Sequence, residues 1–215
     1  MERTEILASI QNYLSNGGLF NPELIGNNKI RDLLIDVRNH LKYPKPNYAA
    51  DILVFAGPPR GYKDILLIKR KQDPFAGKWA FPGGHVNEGE TSKTAALREL
   101  LEETNVPLKF KLGALVDTVV LPDNTEAPVY PLGVFDKPGR DPRGWYVSHS
   151  FCVFLTESQQ KTLAIKGGDD AEEAAWHPVR NYLGFHAQTL AFDHNDILYY
   201  AAMFKNYRVF DEAIR

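Results

Sequence analysis

Three glutamates, at positions 99, 102 and 103, pose the first chemical question of this 215-residue chain. Residues 91–104 read as a helix, and the spacing i, i+3, i+4 then projects all three carboxylates from one face. Ala95, Ala96, Leu97 and Leu100 cover the opposite side and bury it. Carboxylates this close repel one another unless something cationic sits among them. Arg98 and Lys93 would serve in a salt-bridged surface helix, but one arginine cannot serve three acids well. A divalent cation can, and hard oxygen ligands select Mg²⁺ or Mn²⁺ over zinc. Glu90 stands close to the helix start, where the dipole favours an acid. Just upstream, Gly83-Gly84 allows close backbone approach, and a carbonyl there can add a ligand.

The elements that must position these residues follow from periodicity. Short runs rich in branched residues at 52–55 and 65–68 predict two strands joined by a turn. Further strands are expected at 112–120, 146–155 and 174–176. A last helix is expected from Asp193, which can cap it, with Ile197, Leu198, Ala201 and Phe204 on one side. Residues 121–144 hold five prolines and three glycines and read as a long structured loop. Upstream, Ile6, Leu7, Ile10, Tyr13 and Leu14, then Ile30, Leu33, Leu34, Val37 and Leu41, predict two helices. These end before Pro44 and Pro46, which mark a boundary. The expected division is a helical extension over 1–45 and a main domain over 48–215. Strands on both sides of a central helix, with helices at each end, indicate an α/β layered fold around a mixed sheet.

Composition narrows the function classes. Lys plus Arg number 25 and Asp plus Glu 27, for a net charge of −2, which excludes a nucleic-acid binder driven by bulk charge. A single cysteine, Cys152, excludes an intramolecular disulfide framework and a cysteine zinc cluster. Its apolar neighbours make it an inert core thiol. The first residues lack an apolar signal core, and no apolar run approaches the roughly 20 residues that span a bilayer, so a cytoplasmic chain with no membrane partner is expected. His85 and His149 lie near the acidic helix in sequence, but the histidines show no metal spacing.

The segment from Gly84 to Val106 closely resembles the defining box of the Nudix hydrolases. Gly84, Glu90, Arg98, Glu99, Leu100, Glu102, Glu103 and Val106 fall in register. Six specified residues, each at roughly 7% abundance, match by chance about once in 10⁷ starting positions. One position departs: Asn105 stands where the family has glycine, and asparagine is the commonest substitute in a left-handed helix end. The resemblance implies a Nudix fold and metal-dependent hydrolysis of a nucleoside diphosphate linked to another group. It assigns Glu102 and Glu103 as metal ligands, Glu99 as ligand or general base, and Gly83 as a carbonyl ligand. Gly84, Glu90 and Arg98 become the scaffold of the box. A further acid from a later loop is expected in this family; the candidates are Asp169, Asp170, Glu172 and Glu173, with Glu173 taken as catalytic.

Outside the box, Pro122 falls sixteen residues beyond Val106, close to where ADP-ribose pyrophosphatases carry a proline. Residues 135–151 (FDKPGRDPRGWYVSHSF) resemble the same subgroup. Arg140 and Arg143 suit phosphate or ribose hydroxyls, since a guanidinium offers a planar donor fork. Trp145, Tyr146 and Phe75 could stack on adenine or belong to the core. The reading is therefore Mg²⁺- or Mn²⁺-dependent cleavage of ADP-ribose to AMP and ribose 5-phosphate, with a homodimer as a family-based expectation. Two alternatives stand beside it: a nucleoside triphosphate pyrophosphohydrolase sharing the box, and a non-catalytic ligand sensor. The sensors append a winged-helix domain, for which the 36 residues after Val179 leave little room.

Overall fold

The structure, a computed structural model, describes residues 45–58, 63–113, 116–184 and 187–204, together with Asp32. The two helices expected within 1–45 lie outside the described residues, Asp32 aside. The chain divides into units Met1–Lys45 and Pro46–Arg215. Every element named below belongs to the second.

That unit is built on two strands, β1 (Asn47–Ala56) and β8 (Tyr146–Leu155), which run parallel through ten paired residues. Residues 52–56 of the first and 151–155 of the second are apolar on both faces because both faces are covered there. Period-2 alternation sorts the side chains. Ala50, Ile52 and Val54 of β1 face a helix, α1 (Ser92–Thr104), and pack with Ala95, Ala96, Leu97 and Leu100. Leu53 and Phe55 face the other way, against Ile197, Leu198 and Ala201. Those three belong to a second helix, His194–Phe204, the last element of the fold. The result is the expected α/β/α layering. The side chain of Phe204, assigned to the same face in sequence, lies outside the description.

The remaining strands are β2 (Asp64–Arg70), β3 (Trp79–Ala80), β4 (Gly83–His85), β5 (Lys109–Lys111), β6 (Thr118–Val120), β7 (Glu126–Phe135) and β9 (Ala171–Pro178). The main path runs β3-β2-β1-β8-β7-β6-β5, with β9 on β2 and β4 on β1. A short helix, α2 (Glu157–Thr162), follows β8, and the last helix is α3. No helix among the described residues is long and apolar enough to cross a membrane.

Two expectations need correction. The single strand anticipated at 112–120 is broken, because the Asp117 carboxylate accepts from the Gly113 amide and turns the chain between β5 and β6. The loop anticipated over 121–144 contains the ten-residue β7. Of its two prolines, Pro128 pairs with Thr118 of β6, and Pro131 sits where the β7–β8 register shifts, a place that needs no regular amide donor.

One feature of the sheet positions the site. A single edge of β1 is shared, with β4 along Ala49–Asp51 and β2 along Phe55–Ala56. The chain between β3 and β4 crosses this fork, tied by the Ile52 amide to the Pro82 carbonyl at 2.9 Å. It delivers Gly83 and Gly84 to the face of α1 that carries the acids.

Helix α1 starts on Thr91, whose hydroxyl accepts from the Thr94 amide, and ends on Asn105 at φ 56°, whose amide bonds the Leu101 carbonyl at 2.9 Å. Asparagine thus performs the left-handed closure expected of it. Replacing Asn105 by alanine is expected to lower unfolding free energy by about 1 kcal/mol, and replacing it by glycine to change it by less than about 0.5 kcal/mol, in urea titrations. Equal stability of the alanine and glycine variants would contradict the role given to this position.

Candidate active site

The acids of α1 line one wall of a cleft of about 280 Å³. Their differences come from depth. Glu103 is buried at 4% exposure, and its Oε2 accepts from the Gly83 amide at 2.9 Å. Burial drives its pKa well above the ordinary carboxylate value, with the Gly83 N–H opposing that shift. Glu99 is raised for the same first reason, burial, against the pull of Arg98. Gly83 has to be glycine: a Cβ there would lie 2.5 Å from the Ala50 carbonyl oxygen.

Arg98 organises the front of the wall. Its Nε and Nη2 hold both oxygens of Glu90 at 3.0 Å, and Nη2 also donates to the His85 carbonyl at 2.9 Å. The Glu90 carboxyl is consequently held below its usual range, first by Arg98, and Arg98 is raised in return. This pins the loop to the helix. Arg98 Nη1 reaches Glu99 at 2.8 Å and Glu102 at 2.9 Å as well. One arginine thus contacts three acids, Glu90, Glu99 and Glu102, more than its spacing in sequence suggested.

The late loop is placed by the end of α1. Helix carbonyls in the last turn lack internal partners, and here Lys166 and Gly168 donate to the carbonyls of Thr104 and Glu103 at 3.1 and 3.2 Å. The following Asp169 and Asp170 thereby line the cleft. Glu172 pairs with Lys69 at 3.2 Å, and Glu173 is exposed on β9. Of the four late acids, the structure brings Asp169 and Asp170 to the site and leaves Glu173 outside its lining.

Arg70, Arg140 and Arg143 line the same cleft. Arg140 is held by both oxygens of Asp193 at 2.9 and 2.7 Å, so the carboxylate expected to cap α3 is engaged with a guanidinium instead. Arg143 forks onto Asp141 and lies 4.8 Å over the Tyr146 ring. Tyr146 lines the cleft and its hydroxyl meets His85 at 2.9 Å; Trp145 is half exposed and Phe75 partly so, neither in the lining. His149 bonds Ser92 instead. Cys152 is fully buried.

Sequence reasoning missed Asp51, Arg70 and His194. Asp51 is 7% exposed within an otherwise apolar strand, accepts from Ser148 and faces His194 Nε2 at 4.0 Å. A lone acid inside an apolar run is itself a signal, because burying a charge is costly without partners. His194, also buried, takes the Phe81 amide on Nδ1 at 3.0 Å.

The donor set of the acid wall is all oxygen, which fits Mg²⁺ or Mn²⁺. Among the described residues no three acidic, histidine or cysteine side chains converge as a ready cage. Arg98 Nη1 bonds both Glu99 and Glu102, so seating a cation requires those carboxylates to turn from it. Burial meanwhile disfavours charge on Glu99 and Glu103, and a cation would relieve that penalty.

The comparisons with known proteins agree with this geometry. A family model described as the NUDIX domain matches residues 45–200. The ADP-ribose pyrophosphatase of Methanocaldococcus jannaschii is 36% identical over 165 residues, 76% of this chain and 77% of that protein. An ADPR responsive transcriptional repressor, NtrR, of Acinetobacter baylyi is 28% identical over 159 residues, 73% of this chain and 53% of the repressor. Among solved structures, a bifunctional NMN adenylyltransferase/ADP ribose pyrophosphatase from Francisella tularensis, complexed with AMP and a manganese ion, matches with a TM-score of 0.51 at 26% identity. That match covers 82% of this chain and 49% of the other.

A pH test follows from Glu103. Its folded pKa is raised, so its ionisation weakens the metal-free fold: the effect is absent below about pH 4, the unfolded carboxyl range, and grows as pH rises towards the folded value. In EDTA, Glu103→Gln is expected to be more stable than the parent at pH 8 and to converge with it near pH 4 in urea titrations. A stability difference that does not change with pH would contradict the assignment.

Proposed function

The chain belongs to the Nudix family, a Nudix hydrolase by its domain and its relatives, and from that premise we propose that it hydrolyses ADP-ribose to AMP and ribose 5-phosphate with Mg²⁺ or Mn²⁺. The observation that carries the reading is the cleft itself, lined both by acids suited to a cation and by three arginines, Arg70, Arg140 and Arg143, suited to a diphosphate. The pyrophosphatase relative from Methanocaldococcus jannaschii supports this substrate over a nucleoside triphosphate.

In this reading Glu102, Glu103 and the Gly83 carbonyl would hold the divalent ion, with Glu99 as a further ligand or as the general base. When bound, that ion neutralises charge on the diphosphate oxygens and assists activation of the attacking water. Glu90 and Arg98 with Gly84 keep the loop and helix in register. In the base role, Glu99 is helped by burial, which raises its proton affinity. Asp169 and Asp170 take the place in the cleft expected for Glu173. Arg140 and Arg143 bind the substrate's phosphates or ribose hydroxyls.

The sensor alternative is kept by the repressor relative, of which this chain covers about half. The two readings separate in one assay. Phosphatase-coupled hydrolysis is measured across ADP-ribose, NADH, sugar nucleotides and deoxynucleoside triphosphates, with Mg²⁺ and with Mn²⁺. Metal-dependent turnover of ADP-ribose is expected, falling on the order of 10²–10³-fold in Glu103→Gln, the loss typical of a removed electrostatic stabiliser. A triphosphate preferred tenfold or more would overturn the substrate. Binding of ADP-ribose without any turnover would overturn the enzyme reading in favour of the sensor.

A further inference from the structure

Three consecutive residues at the start of α3 each hold a different part of the cleft. Phe192 lies under two guanidiniums, with Arg70 4.9 Å and Arg143 5.4 Å from its ring centroid. Asp193 clamps Arg140 through two charge-assisted bonds, and the Arg140 side chain is only 6% exposed. His194 accepts the Phe81 amide on Nδ1, two residues ahead of the Gly83 amide that holds Glu103, and its ring stacks on Phe81 at 4.5 Å and 6°.

The backbone of this tripeptide is not one it would choose alone. Phe192 sits at φ 52°, the left-handed region that a bulky aromatic residue avoids. Such conformations persist where the surroundings over-determine them, and they cluster where geometry serves function. The surroundings here are specific. The Ala191 amide bonds the Trp79 carbonyl at 2.8 Å, so the turn is lashed to the strand carrying Trp79 and Ala80. The edge of Phe75 meets the Phe192 ring at 4.9 Å.

Electrostatics explain why the arginines need this support. Arg70 donates to the carbonyls of Pro74 and Gln72 and is pressed down in pKa by burial and by neighbouring Arg143. Two guanidiniums repelling at one side of a cleft would splay outward without a shared attraction. The electron-rich face of Phe192 offers one to both, and Asp193 fixes the third.

We propose that Phe192, Asp193 and His194 are positioning residues: Phe192 and Asp193 set the arginine wall to receive the substrate's phosphates, and His194 ties that wall to the strand feeding Gly83. The inference rests on the diphosphate reading above. Phe192 and Asp193 should therefore act on substrate affinity rather than on the metal side.

The test uses the full chain and the variants Asp193→Asn, Asp193→Glu and Phe192→Leu. With ADP-ribose and Mg²⁺, KM is expected to rise about tenfold in Asp193→Asn and Phe192→Leu, with kcat within about threefold, and Asp193→Glu is expected to recover at least half of the loss. In calorimetry without divalent ions, affinity for inorganic pyrophosphate should fall about tenfold in the same two variants. Manganese affinity, read by electron paramagnetic resonance, should stay within twofold. Loss of kcat at unchanged KM, or pyrophosphate affinity equal to the parent, would overturn the proposal. If Asp193→Asn fails to fold, Phe192→Leu carries the same readouts. A parent protein that ignores ADP-ribose but binds pyrophosphate would sink the substrate reading alone, and the pyrophosphate series would still decide the positioning claim.

Discussion

The site depends on a carboxylate buried at the end of a helix. Glu103 is 4% exposed and receives the Gly83 amide, so the box loop and the acidic helix are joined at the point where charge is least welcome. A lone buried anion is expensive, and proteins resolve that by protonation, pairing or metal binding. Here the same burial raises Glu99. A cation would relieve that cost, and the fork in the sheet brings Gly83 against the wall.

The arginines of the cleft obey the converse constraint. Arg70, Arg140 and Arg143 converge from β2 and from the segment between β7 and β8, and guanidiniums gathered at one place must be anchored. Asp193, Asp141 and the Phe192 ring do so. Acids and arginines therefore share one cleft, Arg140 and Arg143 held by Asp193 and Asp141 and the helix acids Glu99 and Glu102 by Arg98. A diphosphate ester with a metal ion has the complementary charge distribution, negative oxygens towards the arginines and cation towards the acids.

Much of the acid wall was legible because it lies on one continuous helix. The spacing of Glu99, Glu102 and Glu103 and the apolar set Ala95, Ala96, Leu97 and Leu100 follow from a period of 3.6, and the left-handed Asn105 from the glycine that the family box has at its position. The arginine wall was half legible. Arg140 and Arg143 stood out in a Pro- and Gly-rich stretch, but Arg70, Asp51 and His194 come from three distant elements, and no local pattern relates residues that meet only through strand pairing. Asp193 was read as a helix cap because local rules see the helix and not Arg140. The strand β7 was hidden for a related reason: Pro131 argues against pairing unless a register shift absorbs it. Likewise Glu173 was preferred among the late acids, and the bonds of Lys166 and Gly168 to the last turn of α1, which bring Asp169 and Asp170 into the cleft lining, are not visible in one stretch of sequence.

The most direct test of the central claim is manganese binding to the full chain, followed by electron paramagnetic resonance at neutral pH, in the parent and in Glu103→Gln. The acid wall predicts bound Mn²⁺ in the parent and at least a tenfold loss of affinity when the buried carboxylate is replaced, in the range typical for a disrupted metal site. Equal affinity in the two proteins would show that Glu103 holds no cation, and the reading of the cleft as a metal-dependent diphosphate site would fall with it.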